Sequence, residues 1–287
     1  MDDRDNRCKD QKISCRSKVR LRKQNDTEIQ NDAWKLRSGG NLRAHIPTAE
    51  QKIRDVCGSW KPLPRVLPFA IFMAFIAPVE GILYLEKYIP SLADWSFEVN
   101  LWLYPAKTAA VIACLVYFWP RYEELKGRGF GISRKGFAFS IAVGVLVYFA
   151  WVRMDWSWAT IGKAAGYDPF QAGAVAGPVL AGIRLLGAAV VVPIMEELFW
   201  RSFLIRYMIS SNYESVPLGK FTVGSFLATV LLFGSEHQLW LAGMLAGLAY
   251  TLVLYRTKSL WACILAHGVT NLLLGLHVLA TGEWRWW

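Results

Sequence analysis

The sequence predicts an all-α fold, a polytopic membrane bundle of about seven transmembrane helices preceded by a polar N-terminal extension. Hydrophobic residues make up 54% of the 287 residues, only 19% are charged, and Trp occurs 14 times. Soluble domains usually carry about 25% charged residues, and Trp is enriched where a chain crosses a membrane interface. In addition, several apolar runs approach the ~20 residues that a helix needs to cross a hydrocarbon core ~30 Å thick.

Residues 1–65 form a basic polar segment that we expect to be cytoplasmic and partly disordered. They hold 16 Lys/Arg against 9 Asp/Glu, so a net charge of +7 out of the total of +10 lies here. Such a segment beside membrane spans favours the cytoplasmic side and anionic lipid headgroups. No nucleic-acid-binding motif accompanies the charge, so we predict membrane lipids and no nucleic acid as partners.

Residues 66–287 are predicted to form the transmembrane helical domain. The fourth span should be one long helix, or a helix with a short break, because Glu196 would otherwise lie only ~5 Å deep. Lys and Arg are concentrated in alternate loops, which predicts a cytoplasmic N-terminus and an external C-terminus. The predicted spans cover residues 66–85, 101–119, 137–152, 177 to about 209, 221–233, 239–255 and 260–280.

Polar side chains inside the predicted spans identify the candidate site, because an ionisable group in a membrane is costly unless it is paired or functional. Glu197 and Arg201 are four residues apart on one helix and are expected to form an ion pair. Glu196 is rotated by ~100° from Glu197, which leaves it free to face a cavity. Arg184 is expected to reach the membrane surface or to pair with an acidic residue of the outer loop.

Two further sets of polar residues follow along the chain. His267 and Asn271 are four residues apart and should project from one helix face, and Phe233 should pack beside His237 for the same reason. If these groups converge with Glu196, a carboxylate and an imidazole can activate a water. A second imidazole and an amide can then stabilise the oxyanion of an addition intermediate. These are the parts that a peptide-bond hydrolase needs.

Each feature also has a structural interpretation. Taken alone, the Glu197–Arg201 pair is more often structural than catalytic, His237 suits a helix end, and Asn271 can simply join two helices. All of these coincidences together are improbable, which favours a functional site.

The ordered motifs resemble those of the CPBP family, the CAAX-prenyl-protease and bacteriocin-processing membrane proteins. Glu196-Glu197-Leu-Phe-Trp-Arg201 resembles the family's EExxxR motif, Phe233-Gly-Ser-Glu-His237 its FxxxH motif, and His267-Gly-Val-Thr-Asn271 its HxxxN motif. The resemblance covers about residues 180–275, the motif core. More faintly, the whole chain is similar to the bacterial subgroup that accompanies exosortase sorting systems, which implies the bacterial inner membrane.

The resemblance implies an intramembrane glutamate endopeptidase that acts on a membrane-associated protein or peptide. By position, Glu196 is the base that activates water with help from His237, and His267 and Asn271 form the oxyanion site. The supporting residues are Glu197, Arg201 and Phe233.

Three alternatives remain open at this point. One is a non-catalytic adaptor or immunity-type scaffold of the same fold, and another is a transporter, although no internal repeat supports it. The third is a zinc-dependent protease that uses Glu196, His237 and His267 as ligands. We expect a metal-free enzyme without a cofactor.

Overall fold

The computed structural model describes residues 60–126, 131–162 and 166–287, which belong to one compact unit, Ser59–Trp287. Residues 1–59, most of the predicted polar extension, lie outside the described part, so the expectations for them stay predictions. Within the described ranges the chain is helical and contains no strand. This confirms the all-α membrane bundle.

Seven helices occupy the positions of the seven predicted spans. Each apolar run of the sequence has become a helix with polar or aromatic residues near its ends. We number them α1 (Leu63–Glu86), α2 (Ala93–Phe118), α3 (Arg134–Trp151), α4 (Pro169–Tyr207), α5 (Val223–Ser235), α6 (Trp240–Thr257) and α7 (Leu260–Thr281).

Length and composition separate these helices into groups. Among the described residues, four segments are long and apolar enough to cross a membrane, and they lie in α2, α3, α4 and α7. Shorter apolar segments lie in α1 and α5. Helix α6 is rich in Gly and Ala, and its small residues pack against α3, α5 and α7. Small residues allow close helix approach within a membrane bundle.

Local signals in the sequence define several helix ends. The Ser133 hydroxyl accepts a hydrogen bond from the Gly136 amide at the start of α3, and Thr222 caps α5 in the same way through the Ser225 amide. These contacts satisfy amide groups that have no partner within the first helical turn. At the far end of α7, Gly282 has a φ of 71°, a left-handed conformation that glycine adopts without strain.

Helix α4 is one continuous helical run through the Glu pair, as the depth argument predicted. Its interior contains two wide π-helical turns, Gly187–Val191 and Leu198–Leu204, on either side of the α-helical segment Val192–Glu197. Pro193 has no amide hydrogen, and its ring would clash with the carbonyl four residues earlier in a regular helix. The first wide turn relieves this conflict just before Pro193.

An ion pair connects the start of α1 to the segment that follows α2, and a serine of α4 binds to it. Arg65 donates to Glu124 through Nε (2.7 Å) and Nη2 (2.6 Å), and through Nη1 to the Tyr213 hydroxyl (3.0 Å). Ser202 of α4 also bonds the Glu124 carboxylate. Both charged side chains are about 95% shielded from solvent. A two-point contact of this kind fixes the geometry as well as neutralising the charge.

Candidate active site

Glu197 is the hub of a buried polar network. Its Oε1 atom lies 3.0 Å from Nη1 of Arg201 and 3.0 Å from Nδ1 of His267. Nη2 of Arg201 donates to the Gly247 carbonyl at 3.2 Å. The network therefore joins α4, α6 and α7, and it contains the Glu197–Arg201 pair expected from their four-residue spacing.

The helix interface beside this network is unusually close. Gly268 of α7 faces the wide turn of α4, and a Cβ atom at this position would lie 2.8 Å from the Ala189 carbonyl oxygen. Glycine is needed there because any side chain would push the two backbones apart. This approach brings His267 and Asn271 up to α4, where the Asn271 Nδ2 donates to the Ala188 carbonyl at 2.9 Å.

His237 lies just beyond the end of α5, with a defined tautomer. Its Nδ1 lies 2.7 Å from the Phe233 carbonyl oxygen. A carbonyl oxygen can only accept, so Nδ1 carries the hydrogen and Nε2 of the neutral ring keeps its lone pair. The centre of the Phe233 ring lies 4.9 Å from the centre of the imidazole, and the centre of the Trp151 ring lies 5.3 Å from it, with the two planes nearly perpendicular. The ring is thus held between two aromatic side chains.

A cavity of about 260 Å³ brings the polar residues together. This volume is several times the ~30 Å³ that one water occupies in the liquid. All four residues predicted to be catalytic line it, namely Glu196, His237, His267 and Asn271. Three separate helical elements contribute them, as the ordered motifs required.

Glu236 is a site residue to which the sequence assigned no role. Oxygen and nitrogen atoms of Glu196, Glu236 and His237 all lie within 4.8 Å of one another. Oε2 of Glu196 and Oε1 of Glu236 are buried without a hydrogen-bond partner in the described part of the chain. Two such orphan oxygens close to a nitrogen of an imidazole ring define a place for a water or a cation. The only signal in the sequence was the position of Glu236 next to His237.

The same three residues are the ones that could hold a metal. Two carboxylates and one imidazole provide the oxygen and nitrogen donors that divalent ions accept. The zinc alternative derived from the sequence named His267 as the third ligand instead. In the described structure His267 lies outside this group and binds Glu197 through Nδ1. A metal at this site would therefore use Glu236 rather than His267.

Of the two arrangements expected for Arg184, reaching the membrane surface or pairing with an acidic residue of the outer loop, the second does not occur in the described part of the chain. Its guanidinium carbon lies 4.2 Å from the centre of the Tyr104 ring and 5.2 Å from that of Tyr167. No ion pair to it exists among the described residues. Stacking on aromatic faces stabilises the cation without a carboxylate. Arg184 also lines the cavity that contains Glu196.

Comparison with known families identifies the segment that holds this site. Residues 178–273 match the family model described as type II CAAX prenyl endopeptidase Rce1-like. This segment therefore resembles the type II CAAX prenyl endopeptidases. The match confirms the resemblance to the CPBP family, and it spans the glutamate pair and both histidine motifs. No curated protein and no solved structure matches the chain.

The Rce1-like match and the apolar helices together support a membrane-integral protease of the CAAX type. They also support a protein or peptide substrate. The matched segment is about a third of the chain. Helices α1, α2 and α3 lie before it and are not part of the match. Those three helices supply Phe72, Tyr104 and Trp151, one residue each, to the cavity wall.

Proposed function

We propose that this chain is an intramembrane glutamate endopeptidase that hydrolyses a peptide bond of a membrane-associated protein. The proposal depends on one observation above all: a carboxylate oxygen of Glu196 and a ring nitrogen of His237 lie within 4.8 Å of each other, and both residues line the same cavity. A water placed between them can give a proton to one group and a hydrogen bond to the other. Glu236 offers a second oxygen to the same water.

In the proposed reaction, the water oxygen attacks the carbonyl carbon of the scissile bond while its proton moves to the Glu196 carboxylate. His237 accepts a hydrogen bond from the remaining hydrogen and orients the nucleophile. Collapse of the tetrahedral intermediate breaks the carbon–nitrogen bond, and Glu196 returns the proton to the leaving amine. The products are a carboxylic acid and an amine, with no covalent enzyme intermediate.

His267 and Asn271 are proposed to stabilise the oxyanion. One amide hydrogen of Asn271 is used on Ala188, which leaves the other free to donate into the cavity. His267 donates through Nδ1 to Glu197, so its Nε2 can donate only when the ring is protonated. The Glu197 carboxylate supports that imidazolium, in the way that a buried acid supports a catalytic histidine.

The substitution Glu196→Gln tests the proposal in the cells from which the chain comes. It keeps the shape of the side chain and removes the base. Mass spectrometry of protein termini in membranes should show the same uncut precursors with this variant as without the protein. Glu123→Gln, at an exposed surface glutamate, is the matched control and should process normally.

Continued processing by the Glu196→Gln variant would refute the base assignment. If the variant behaves like wild type while loss of the protein changes the cells, the adaptor alternative is correct. Thermal unfolding of both variants in detergent must match that of wild type.

A zinc-dependent version is the second candidate, because Glu196, Glu236 and His237 form a possible ligand set. We propose the metal-free reaction on the strength of the family resemblance. Activity of purified protein in the presence of a strong chelator, together with metal analysis, separates the two. Loss of activity on chelation and its return with added zinc would make Glu196 a ligand.

We further propose that the chain resides in a bacterial inner membrane with its N-terminus in the cytoplasm. The alternation of basic loops supports this orientation. Labelling of single cysteines with a membrane-impermeant thiol reagent in intact cells tests it. Residue 212, between α4 and α5, should stay protected, and residue 283, after α7, should react.

A further inference from the structure

Two cations at one end of the bundle line a pocket that contains no counterion. Lys135 belongs to the first turn of α3, and Arg256 belongs to the last turn of α6. The pocket has a volume of about 390 Å³, and none of the described residues that line it is acidic. Neither cation forms an ion pair within the described ranges of the chain. This basic pocket, which Ser133 and Thr257 also line, therefore has a net positive charge.

The start of α3 adds a neutral donor to the basic pocket. The Ser133 hydroxyl accepts a hydrogen bond from the Gly136 amide, so its own hydrogen remains available to donate. Glycine keeps the space between α3 and α6 open, because a Cβ atom at residue 136 would lie 3.3 Å from Oγ of Ser133 and 3.7 Å from Cγ2 of Thr257. The ammonium and guanidinium groups of the pocket, together with this hydroxyl, are suitable donors for a phosphate.

An apolar groove adjoins the basic pocket. It has a volume of about 320 Å³, and Ile132 lines both the pocket and the groove. The described residues that line the groove are aliphatic or aromatic, and they include Phe137 of α3, Val190 of α4 and Leu265 of α7. Phe137 and Val190 are half exposed on the surface of the bundle. The groove therefore begins beside the two cations and is open to the hydrocarbon that surrounds a membrane protein.

We propose that the basic pocket and the apolar groove together bind one anionic glycerophospholipid. Lys135 and Arg256 hold its phosphate, and one acyl chain lies in the groove. The lipid comes from the leaflet at this end of the bundle, which is the cytoplasmic one in the proposed orientation. Charge complementarity favours an anionic headgroup, because the choline group of a zwitterionic lipid would bring a third cation into the pocket. Such binding requires no peptidase activity.

The acyl chain packs against the outside of the wide turn of α4. Ala189 and Val190 of this turn line the groove, whereas Ala188 of the same turn lines the cavity that contains Glu196. The Ala188 carbonyl also accepts the hydrogen bond from Asn271. The lipid and the candidate active site thus lie on opposite sides of one helical turn, so the bound chain supports the backbone that positions Asn271.

Native mass spectrometry of the full chain in detergent tests the site. The protein is given equal amounts of dioleoyl-phosphatidylglycerol and dioleoyl-phosphatidylcholine, and the lipid that each molecule retains is counted. One basic residue near a membrane surface strengthens binding to anionic lipid about fivefold, so wild type should prefer phosphatidylglycerol by ~30-fold. Lys135→Gln and Arg256→Gln should each lower this preference about fivefold, and the double variant should lose it.

The matched control is the double variant Arg121→Gln/Lys220→Gln. These two exposed cations lie in the connections before α3 and before α5, outside the pocket and the groove. Their substitution removes the same amount of charge and should leave the lipid preference of wild type unchanged. Thermal unfolding shows that each variant is folded. A phosphatidylglycerol with a photoreactive acyl chain then locates the hydrocarbon part, and its crosslinks should fall within residues 187–194 or 260–265.

Four results would overturn the proposal. The first is equal retention of the two lipids by wild type, and the second is a preference that survives in the Lys135→Gln/Arg256→Gln variant. The third is an equal loss of preference in the control variant, which would mean that only the overall charge matters. The fourth is displacement of the lipid by millimolar inorganic phosphate, or crosslinks outside the groove, since the pocket and the groove would then not bind one lipid molecule.

Discussion

The Nδ1 atom of His267 lies 3.0 Å from the Oε1 atom of Glu197, and the same oxygen accepts a hydrogen bond from Nη1 of Arg201. One carboxylate oxygen therefore holds two side chains, His267 on α7 and Arg201 on α4. The second carboxylate oxygen of Glu197 has no described partner. The orientation of His267 and the neutralisation of Arg201 consequently depend on a single atom.

Glu197→Gln should destabilise the protein strongly. It leaves the Arg201 guanidinium buried without its counterion, and breaking a buried pair in this way costs ~3–5 kcal/mol. Thermal or denaturant unfolding in detergent measures the effect. Glu123→Gln breaks an exposed pair with Lys126 and should cost no more than ~1 kcal/mol. Equal stability of the two variants would contradict the central role of Glu197.

Asn271→Ala should lower the rate of cleavage much more than it lowers stability. Loss of one oxyanion donor typically reduces kcat by ~10²–10³-fold. Single-turnover cleavage rates, once a substrate is identified, give the value. Asn212→Ala, at an exposed loop asparagine, should have no effect. A large fall in melting temperature with an unchanged kcat would instead mean that Asn271 only links α7 to the Ala188 carbonyl of α4.

Gly234→Ala should disturb the position of His237. A Cβ atom at residue 234 would lie 2.3 Å from the Met244 Cγ and 2.9 Å from the Trp240 carbonyl oxygen. Overpacking of this kind costs ~1–3 kcal/mol and moves the neighbouring backbone. Gly224→Ala in the same helix is the matched control, because no atom lies within 4 Å of the added carbon. Similar unfolding temperatures for both variants would argue against close packing of α5 on α6.

Acid should weaken the ion pair between Arg65 of α1 and Glu124 in the segment after α2. Burial raises the pKa of Glu124, but the hydrogen bonds and charge of Arg65 outweigh it, so the net pKa lies below the usual value. The carboxylate thus stabilises the folded state above its unfolded pKa of ~4.3, and this contribution is lost as the pH falls through the depressed folded pKa.

The acid-induced fall of the wild-type unfolding temperature below pH ~4 should be smaller in Glu124→Gln, which lacks the titrating group. Unfolding curves in detergent from pH 7 to pH 3 measure the difference. Glu123→Gln should follow wild type, since that neighbouring side chain is exposed. Parallel curves for wild type and Glu124→Gln would show that the ion pair adds no pH-dependent stability.

The sequence predicted the helices well because transmembrane spans have a strong local signature. Hydropathy and length located all seven, and the depth of Glu196 required the long helix through residues 177–209. Helical spacing likewise indicated the Glu197–Arg201 contact. These features depend on neighbours within one helix, which a linear sequence records directly.

Contacts between helices could not be predicted from the sequence in the same way. The positions of Glu236 beside Glu196 and of His267 beside Glu197 arise from how α4, α5 and α7 pack. The aromatic surroundings of Arg184 come from Tyr104 of α2, Tyr167 just before α4, and Trp287 after α7. The wide turns of α4 change its hydrogen-bond register, which hydropathy does not record.

The position of Glu196 depends on the number of residues in the wide turn Gly187–Val191 more than on which residues they are. The turn holds one residue more than a regular helical turn, so removing one residue there would leave an ordinary α-helix with Pro193 in its interior. Substitutions within the turn can be tolerated as long as its length is kept. A one-residue deletion, by contrast, would restore the clash between the Pro193 ring and the carbonyl four residues earlier, and the resulting kink would displace Glu196 from His237 although every side chain of the site stayed chemically intact.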